Sequence, residues 1–589
     1  GWWAWPTAMA GVAEDAAATA GPRAAPGPGA APGPAHIAPT HGPGPIALTH
    51  VALLFFLASL AMGVGVLLWA ASRSYADWPR LSDDMFYYLV LVRETVRHGV
   101  VSADGLRPTN GFHPLYFLLL RGVYPLVSEA ALPGVALALL AACHGATCVV
   151  LWVTLRRHAG SGLAGLLGGL YAANPYVIGV IFAGVETALM VFCVSVCLWA
   201  HARWLAGGAR RDRIVALVAL TLAVAARTDT VMLAAALAIG SALVRDPPTR
   251  WLRAPGAALR AIDPAPLVAA LVPVVAFGVW GQQASGEFIQ TSGRSLSFWQ
   301  SAGDWRLIRT ALAGLGVLAT AATAIAYALY VAVQFIAWLA KGPVMLLRSH
   351  PLGMMLIGAG IAARLGAGGV GAAGPCAAPN APHRRLACEL TAFLLLLWCF
   401  YALLFRHGQS WYWHGSVYVA TLLAGLWLTP VRALARREAA TRLWSRLPRG
   451  AAALMLLVGV GLAALALDDL RPHRHPPAPA VGAAAPDPLE QVPDGATLGA
   501  FDTGQLAWEQ PRLRVVNLDG LVNNAAFRAL RGRRIGRYML DQRLEWLFVN
   551  DKVVARFESF GLGEWLGRAD ALGRSPGGVA LYRLRQPPP

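Results

Sequence analysis

Charge is scarce in this chain. Of its 589 residues only 14% are Asp, Glu, Lys or Arg, and 56% are hydrophobic, with a mean hydropathy of +0.51. That balance excludes both an ordinary soluble globular protein and a charged, disordered one. Lysine is nearly missing, with Lys341 and Lys552 the only examples. The net charge of +18 is therefore almost entirely arginine, spread through short stretches between apolar runs rather than gathered into a patch for nucleic acid. Nucleic acid is not an expected partner. Cysteine offers no framework: Cys143, Cys148, Cys193, Cys197 and Cys399 fall inside apolar runs, and Cys376 and Cys388 flank a loop. Their spacing matches neither a redox pair nor a zinc site, so they read as small core residues.

Long apolar runs are what the chain has in abundance. Each holds roughly 17 to 25 residues, enough to cross a hydrocarbon core about 30 Å thick. The first is "IALTHVALLFFLASLAMGVGVLLWAA" at 46–71, and others follow at 131–155, 160–183, 186–205, 213–227, 229–244, 265–281, 308–338, 387–405, 413–431 and 451–468. The expectation is an α-helical polytopic membrane protein of about eleven spans. Residues 351–365 are apolar but short, and read as interfacial or re-entrant. Residues 1–45, rich in Ala, Pro and Gly, read as a disordered tail without the basic start of a signal peptide.

Arginines set the expected orientation, because cytoplasmic loops retain positive charge. "RRH" at 156–158, "RWLAGGARRDR" at 203–213, "RDPPTRWLR" at 244–253 and the basic stretch at 432–449 share one face. The N-terminus joins them in the cytoplasm. Loops 72–130, 282–306 and 406–413 have nearly balanced charge and are expected outside, with everything after 469.

Against that background "LSDDMFYYLVLVRETVRHG" at 81–99 stands out. Two adjacent carboxylates, Asp83 and Asp84, open an aromatic run in a chain that avoids charge, and crowding such a pair is costly. Ser82 suits an N-cap and Gly99 a helix end, with both carboxylates complementing the helix N-terminus. Helix-start chemistry would account for the pair by itself; a catalytic use would account for it equally well.

The stretch around it, "DDMFYYLVLVRETVRHGVVSADGLRPTNGFHPLYFLLL" at 83–120, resembles the first outer loop of the GT-C superfamily of membrane glycosyltransferases. An acidic pair follows the first span, then an aromatic helix, a glycine turn and "TNGFHPL" entering a second surface helix. "GVETALM" at 184–190, "ARTDTVML" at 226–233 and "GEFIQTSGRS" at 286–295 are similar to outer-face motifs of the same group, so the resemblance covers about 46–470. It implies a GT-C-type membrane domain at 46–469 that moves a sugar from a polyprenyl-phosphate donor to an extracytoplasmic glycan, lipid or protein. By resemblance Asp83 would be the base, while Asp84 would position the acceptor, tune its neighbour or bind a divalent metal. No cofactor is certain.

Other residues carry two readings each. His113 can contact phosphate or acceptor, or simply cap a helix; Asn110 stands beside it in the same motif. Glu186 is a costly ionisable group at a span end or a hydrated helix start. Arg227 and Asp229 either pair across a turn or serve substrate. Arg294 and Arg406 can engage phosphate oxygens bidentately. Trp411 and Tyr412 either wall the sugar and lipid or belong to an interfacial aromatic belt.

Residues 470–589 change character. After a Pro and Ala linker come "GATLGAFDTGQLAW", "RVVNLDGLVNN" and "LEWLFVNDKVVARF", which read as strands and turns alternating with helices. A small extracytoplasmic α/β domain is expected, similar to the soluble tail of the same branch. Asn517, Asp519 and Asn523 suit either turns or hydroxyl-rich ligands. A multi-pass transporter and a non-catalytic cell-envelope scaffold remain as alternatives, although no inverted repeat supports the first and the second has no need of the acidic pair.

Overall fold

The computed structural model describes residues 45–75, 78, 82–245, 255–314, 320–349, 382–404, 409–435, 487–575 and 578–585. The chain divides into Gly1–Gly42, which lies outside the described residues, and Pro43–Pro589. Six described helices are long and apolar enough to cross a membrane: Thr49–Ala71, Glu129–Ala159, Thr187–Gly207, Pro264–Ser285, Ile325–Ser349 and Pro382–Leu403. A bent pair, Ser161–Ala172 and Pro175–Phe182, makes a seventh if counted as one span, with a bend of 42°. The bend has a local cause. Pro175 cannot continue the first helix, and the Asn174 side chain instead accepts the amides of Tyr176 and Val177 to start a second.

Helices Arg210–Ala226, Val231–Arg245 and His414–Ala435 lie at three further expected spans. The expected span at 451–468, the short apolar segment at 351–365 and the start of the C-terminal region fall outside the described residues. One expectation needs correction. In place of a span at 308–338 there are two helices, Thr291–Gly314 and Thr320–Ser349, and the apolar window is Ile325–Ser349. Lys341 and Pro343 stop the apolar run in the sequence, yet the helix carries both; the Lys341 ammonium rests 3.9 Å from the Trp338 ring, which shelters its charge. On this helix Ile325, Leu329, Val333 and Ile336 are 62 to 66% exposed at helical spacing. An exposed apolar stripe of that length suits lipid contact.

The C-terminal residues form a five-stranded sheet in the order β2-β1-β3-β5-β4. The strands are β1 (Thr497–Ala500), β2 (Arg514–Asn517), β3 (Trp546–Val549), β4 (Ala569–Arg574) and β5 (Ala580–Leu584). β1 pairs parallel to β2 on one side and β3 on the other, while β5 runs antiparallel to β3 and β4. The chain thus crosses from one side of β1 to the other after β2. Side chains beyond the carboxyl ends of strands at such a reversal are well placed for ligands.

Candidate active site

Ser82 begins the site as the sequence suggests. Its Oγ accepts the Asp84 N–H, Gly99 closes the helix Asp83–His98 at φ +73°, and Met85 to Val92 are buried throughout. Burial on all sides has a reason: the helix bundle packs on one face and the C-terminal domain on another. On the bundle side Gly184 sits against Met85. A Cβ there would fall 2.1 Å from the Met85 sulfur, and the residue holds φ +72°, so glycine meets both demands. That close approach sets Glu186 directly beneath the acidic helix.

The two carboxylates take different environments. Asp83 Oδ2 accepts the Gly504 N–H at 3.0 Å and its Oδ1 accepts the Gln505 N–H at 2.7 Å. It therefore caps the helix Gly504–Glu509 of the C-terminal domain. Asp84 instead lines a cavity of about 1320 Å³ and, among the described residues, accepts no hydrogen bond at its carboxylate. Burial, and then the carboxylates of Asp83, Glu186, Asp502 and Asp519, push Asp84 up to about 7. Burial also raises Asp83, against the two amides that pull it down.

Two helix connections deliver the floor of the cavity. Glu186 precedes Thr187–Gly207, the chain returns along Arg210–Ala226 to Arg227, and Asp229 lies in the turn before Val231–Arg245. Arg227 Nη1 donates to Glu186 Oε1 at 2.8 Å, and its Nη2 donates to Asp229 Oδ2 at 2.7 Å. The Tyr401 hydroxyl also donates to Asp229, at 2.6 Å. Arg227 further lies 4.7 Å from the Tyr412 ring centre. Its guanidinium is thus committed on every side, and the cluster keeps a net negative charge. The Tyr88 hydroxyl donates to Glu186 Oε2 at 2.9 Å and accepts the His113 amide at 3.3 Å. His113 Nε2 stands 3.8 Å from Glu186, and burial lowers its pKa. So Glu186 is no hydrated helix start.

Of the expected residues, Asp84, His113, Glu186, Arg227, Asp229, Arg294, Trp411 and Tyr412 line this one cavity. Asn110 does not. Its amide donates to the Glu287 carbonyl at 2.7 Å, and its oxygen accepts from Asn524, so it ties two loops and the C-terminal domain together. Arg294 is ion-paired with Glu287. Arg406 lies outside the described residues.

"NLDGLVNN" is likewise occupied with the junction. Asp519 accepts the Tyr87 hydroxyl at 3.3 Å, and Asn517 donates to that same hydroxyl at 3.3 Å. Asn523 caps the helix Asn524–Arg531. Burial, with Asp502 next in importance, raises Asp519 to about 7. Among the described residues no group of three or more His, Cys, Asp or Glu is arranged to hold a metal ion.

Sequence reasoning missed Tyr88 as the partner of Glu186, and it missed Asp502, Arg531 and Arg556, which line the cavity from the C-terminal domain. Asp502 follows β1 at the reversal of strand order and holds φ +52°. The quoted "GAFDTG" carried that signal, since an acidic residue directly after an apolar strand is a candidate for a carboxyl-end crevice.

No protein-family model matches this chain, and no curated protein matches it. The chain is similar to solved structures. One is the archaeal oligosaccharyltransferase AglB from Archaeoglobus fulgidus in complex with an inhibitory peptide and a dolichol-phosphate, at 13% identity over 90% of this chain and 74% of that one, TM-score 0.48. The Archaeoglobus enzyme tethered with an acceptor peptide gives 11% identity over the same shares, TM-score 0.46. ArnT from Cupriavidus metallidurans bound to undecaprenyl phosphate gives 16% identity over 91% of this chain and 97% of that one, TM-score 0.37.

Proposed function

We propose that this cavity transfers a sugar from a polyprenyl-phosphate carrier to a hydroxyl group of an acceptor, with Asp84 as the general base. The observation that carries the reading is the state of Asp84: a carboxyl with a pKa of about 7, free of hydrogen bonds among the described residues, facing a cavity large enough for a glycosyl group. Asp83 was the base implied by resemblance; both of its oxygens are engaged by backbone amides, which favours its neighbour.

Asp84 takes the acceptor's proton as the acceptor oxygen attacks the anomeric carbon. The bond from that carbon to the phosphate oxygen breaks, and the polyprenyl phosphate leaves with the electron pair. Cations are needed where its charge develops. Arg227 is held between two carboxylates, Glu186 and Asp229, and Arg294 by one, Glu287, so Arg294, which lines the cavity with its guanidinium 5.2 Å from the Phe527 ring, is the less committed countercharge. Phe400, Leu404 and Trp411 give one wall an apolar surface suited to the first isoprene units. A transporter reading is weaker, because the charged groups that line the cavity, Asp84, Glu186, Arg227 and Asp229, lie at helix ends beside the C-terminal domain.

The test is Asp84→Asn in detergent-purified protein supplied with labelled undecaprenyl-phosphate sugars. Transfer should fall at least about 100-fold while undecaprenyl phosphate still binds. Turnover near that of the unaltered protein would overturn the assignment.

A further inference from the structure

Charged groups around the cavity are not evenly used. On the bundle side Arg227 is consumed by Glu186 and Asp229, and Arg294 by Glu287. On the side of the C-terminal domain, Arg531 and Arg556 line the same cavity; among the described residues neither is within ion-pair distance of a carboxylate, and the charge of Arg556 acts on Asp502 beside it. Arg531 ends the helix Asn524–Arg531, and Arg556 lies in the last turn of Asp551–Phe557. Helix C-termini favour cations, which explains an arginine at each place but not why both side chains border one cavity. The Arg531 guanidinium lies 5.9 Å from the centre of the Phe527 ring, the ring that Arg294 also covers. Stacking on a buried aromatic limits the orientations of its fork.

Position decides what such a pair would meet. A polyprenyl chain lies in the membrane, so its phosphate arrives along the bundle wall, near Arg294. Whatever approaches the domain wall comes from the aqueous side and is the acceptor. The domain wall carries two arginines against one carboxylate, Asp502, whereas the bundle wall carries Asp84, Glu186, Asp229 and Asp304 against Arg227 and Arg294. We infer that Arg531 and Arg556 form an oxyanion site for the acceptor, and that the natural acceptor carries a phosphate or carboxylate near the hydroxyl that receives the sugar. The site would hold the anion away from Asp84 and Glu186, which repel it, and so orient the acceptor with its hydroxyl toward Asp84. Two guanidinium forks suit the planar or tetrahedral oxyanion better than neutral donors. This inference rests on the proposed transfer reaction.

Binding to the full-length protein in detergent tests it with three probes: mannose 6-phosphate, methyl mannoside and undecaprenyl phosphate. The unaltered protein should bind mannose 6-phosphate at least tenfold more tightly than methyl mannoside. Raising the salt concentration should narrow that gap. Arg531→Gln combined with Arg556→Gln should abolish the preference and leave the affinity for undecaprenyl phosphate unchanged. Both side chains are exposed, so the double variant is expected to fold, and its melting temperature checks this. Absence of any preference for the phosphorylated sugar, or a preference that survives in the variant, overturns the inference. A loss that falls on undecaprenyl phosphate instead assigns the anion to the donor and overturns it too. Failure of Asp84→Asn to slow transfer would sink the underlying reaction separately, since these binding measurements need no turnover.

Discussion

Asp83 and Asp84 differ by one position in the chain and by everything that matters chemically. One carboxylate is spent on two backbone amides of the C-terminal domain; the other faces a cavity. Adjacent residues at a helix start point about 100° apart, so a single helix turn can serve structure with one and chemistry with the next. A base with a pKa of about 7 works only when deprotonated. Transfer should therefore rise with pH along an acidic limb centred near 7 and level off above it. The limb belongs to the coupled carboxyls as a set, because Asp83, Glu186, Asp502 and Asp519 all act on Asp84. A pH–rate profile of kcat reads it directly; a limb near the ordinary carboxylate value would remove the basis for Asp84's role. The existence of this pair was legible in the sequence, and so were its cap and its helix. Which of the two faces the cavity was not, because that depends on where residues more than 400 positions later come to rest.

Helices and loops meet here through close approaches. Gly504 is one: a Cβ at that position would lie 2.2 Å from the Asp83 carbonyl oxygen. Gly504→Ala should push the helix Gly504–Glu509 off the acidic helix, break both Asp83 bonds and expose Tyr87, whose hydroxyl accepts the Thr503 amide at 3.0 Å. Hydrogen exchange at 503–509 should rise at least about tenfold, corresponding to roughly 1.4 kcal/mol of lost protection. Unchanged exchange would mean that the contact contributes little to docking. Element type was readable for most of this region. Pro114 at the start of Pro114–Val123, the apolar run of Thr187–Gly207 and the strands of the C-terminal sheet follow from local sequence. The span expected at 308–338 is displaced toward the C-terminus, to Ile325–Ser349, because the helix continues through Lys341 and Pro343, where the Trp338 ring makes the charge tolerable.

On the scale of the whole molecule, the C-terminal domain is held to the bundle by buried groups that titrate. Asp519 accepts the Tyr87 hydroxyl and the Asp502 amide, and its carboxyl is raised to about 7. A raised carboxyl binds its proton more tightly in the docked state than when solvated. Its stabilising contribution is therefore complete below about pH 4, the ordinary carboxylate range, and declines as pH rises toward 7. Docking should be firmer at pH 6 than at pH 8, and Asp519→Asn should flatten the difference. Protease sensitivity of the 487–585 region at the two pH values checks this; equal sensitivity in the unaltered protein would remove Asp519 as the cause. Orientation in the membrane is a second prediction, from arginine asymmetry. In intact cells, Asp494→Cys should react with an impermeant thiol reagent and Ala206→Cys should not, both positions being exposed. The reverse pattern would put the cavity on the cytoplasmic side.

By itself the sequence determined that this chain is built of apolar helices, that a second, strand-bearing region follows them, and that an acidic pair opens a capped helix between spans. Those properties are local: hydropathy over some twenty residues, a capping serine, a glycine that ends a turn. Tertiary structure alone decided the rest. Arg227 and Asp229 pair across their turn as the sequence allowed, but Glu186 joins them only because three helices run up, down and up again to one end. Asn110 and Asp519, polar residues in exposed-looking turns, became ties inside a junction. Asp502, Arg531 and Arg556 entered the cavity because the sheet reverses its strand order beside the acidic helix. A charge's partner is set by distance in space, and the sequence carries only distance along the chain.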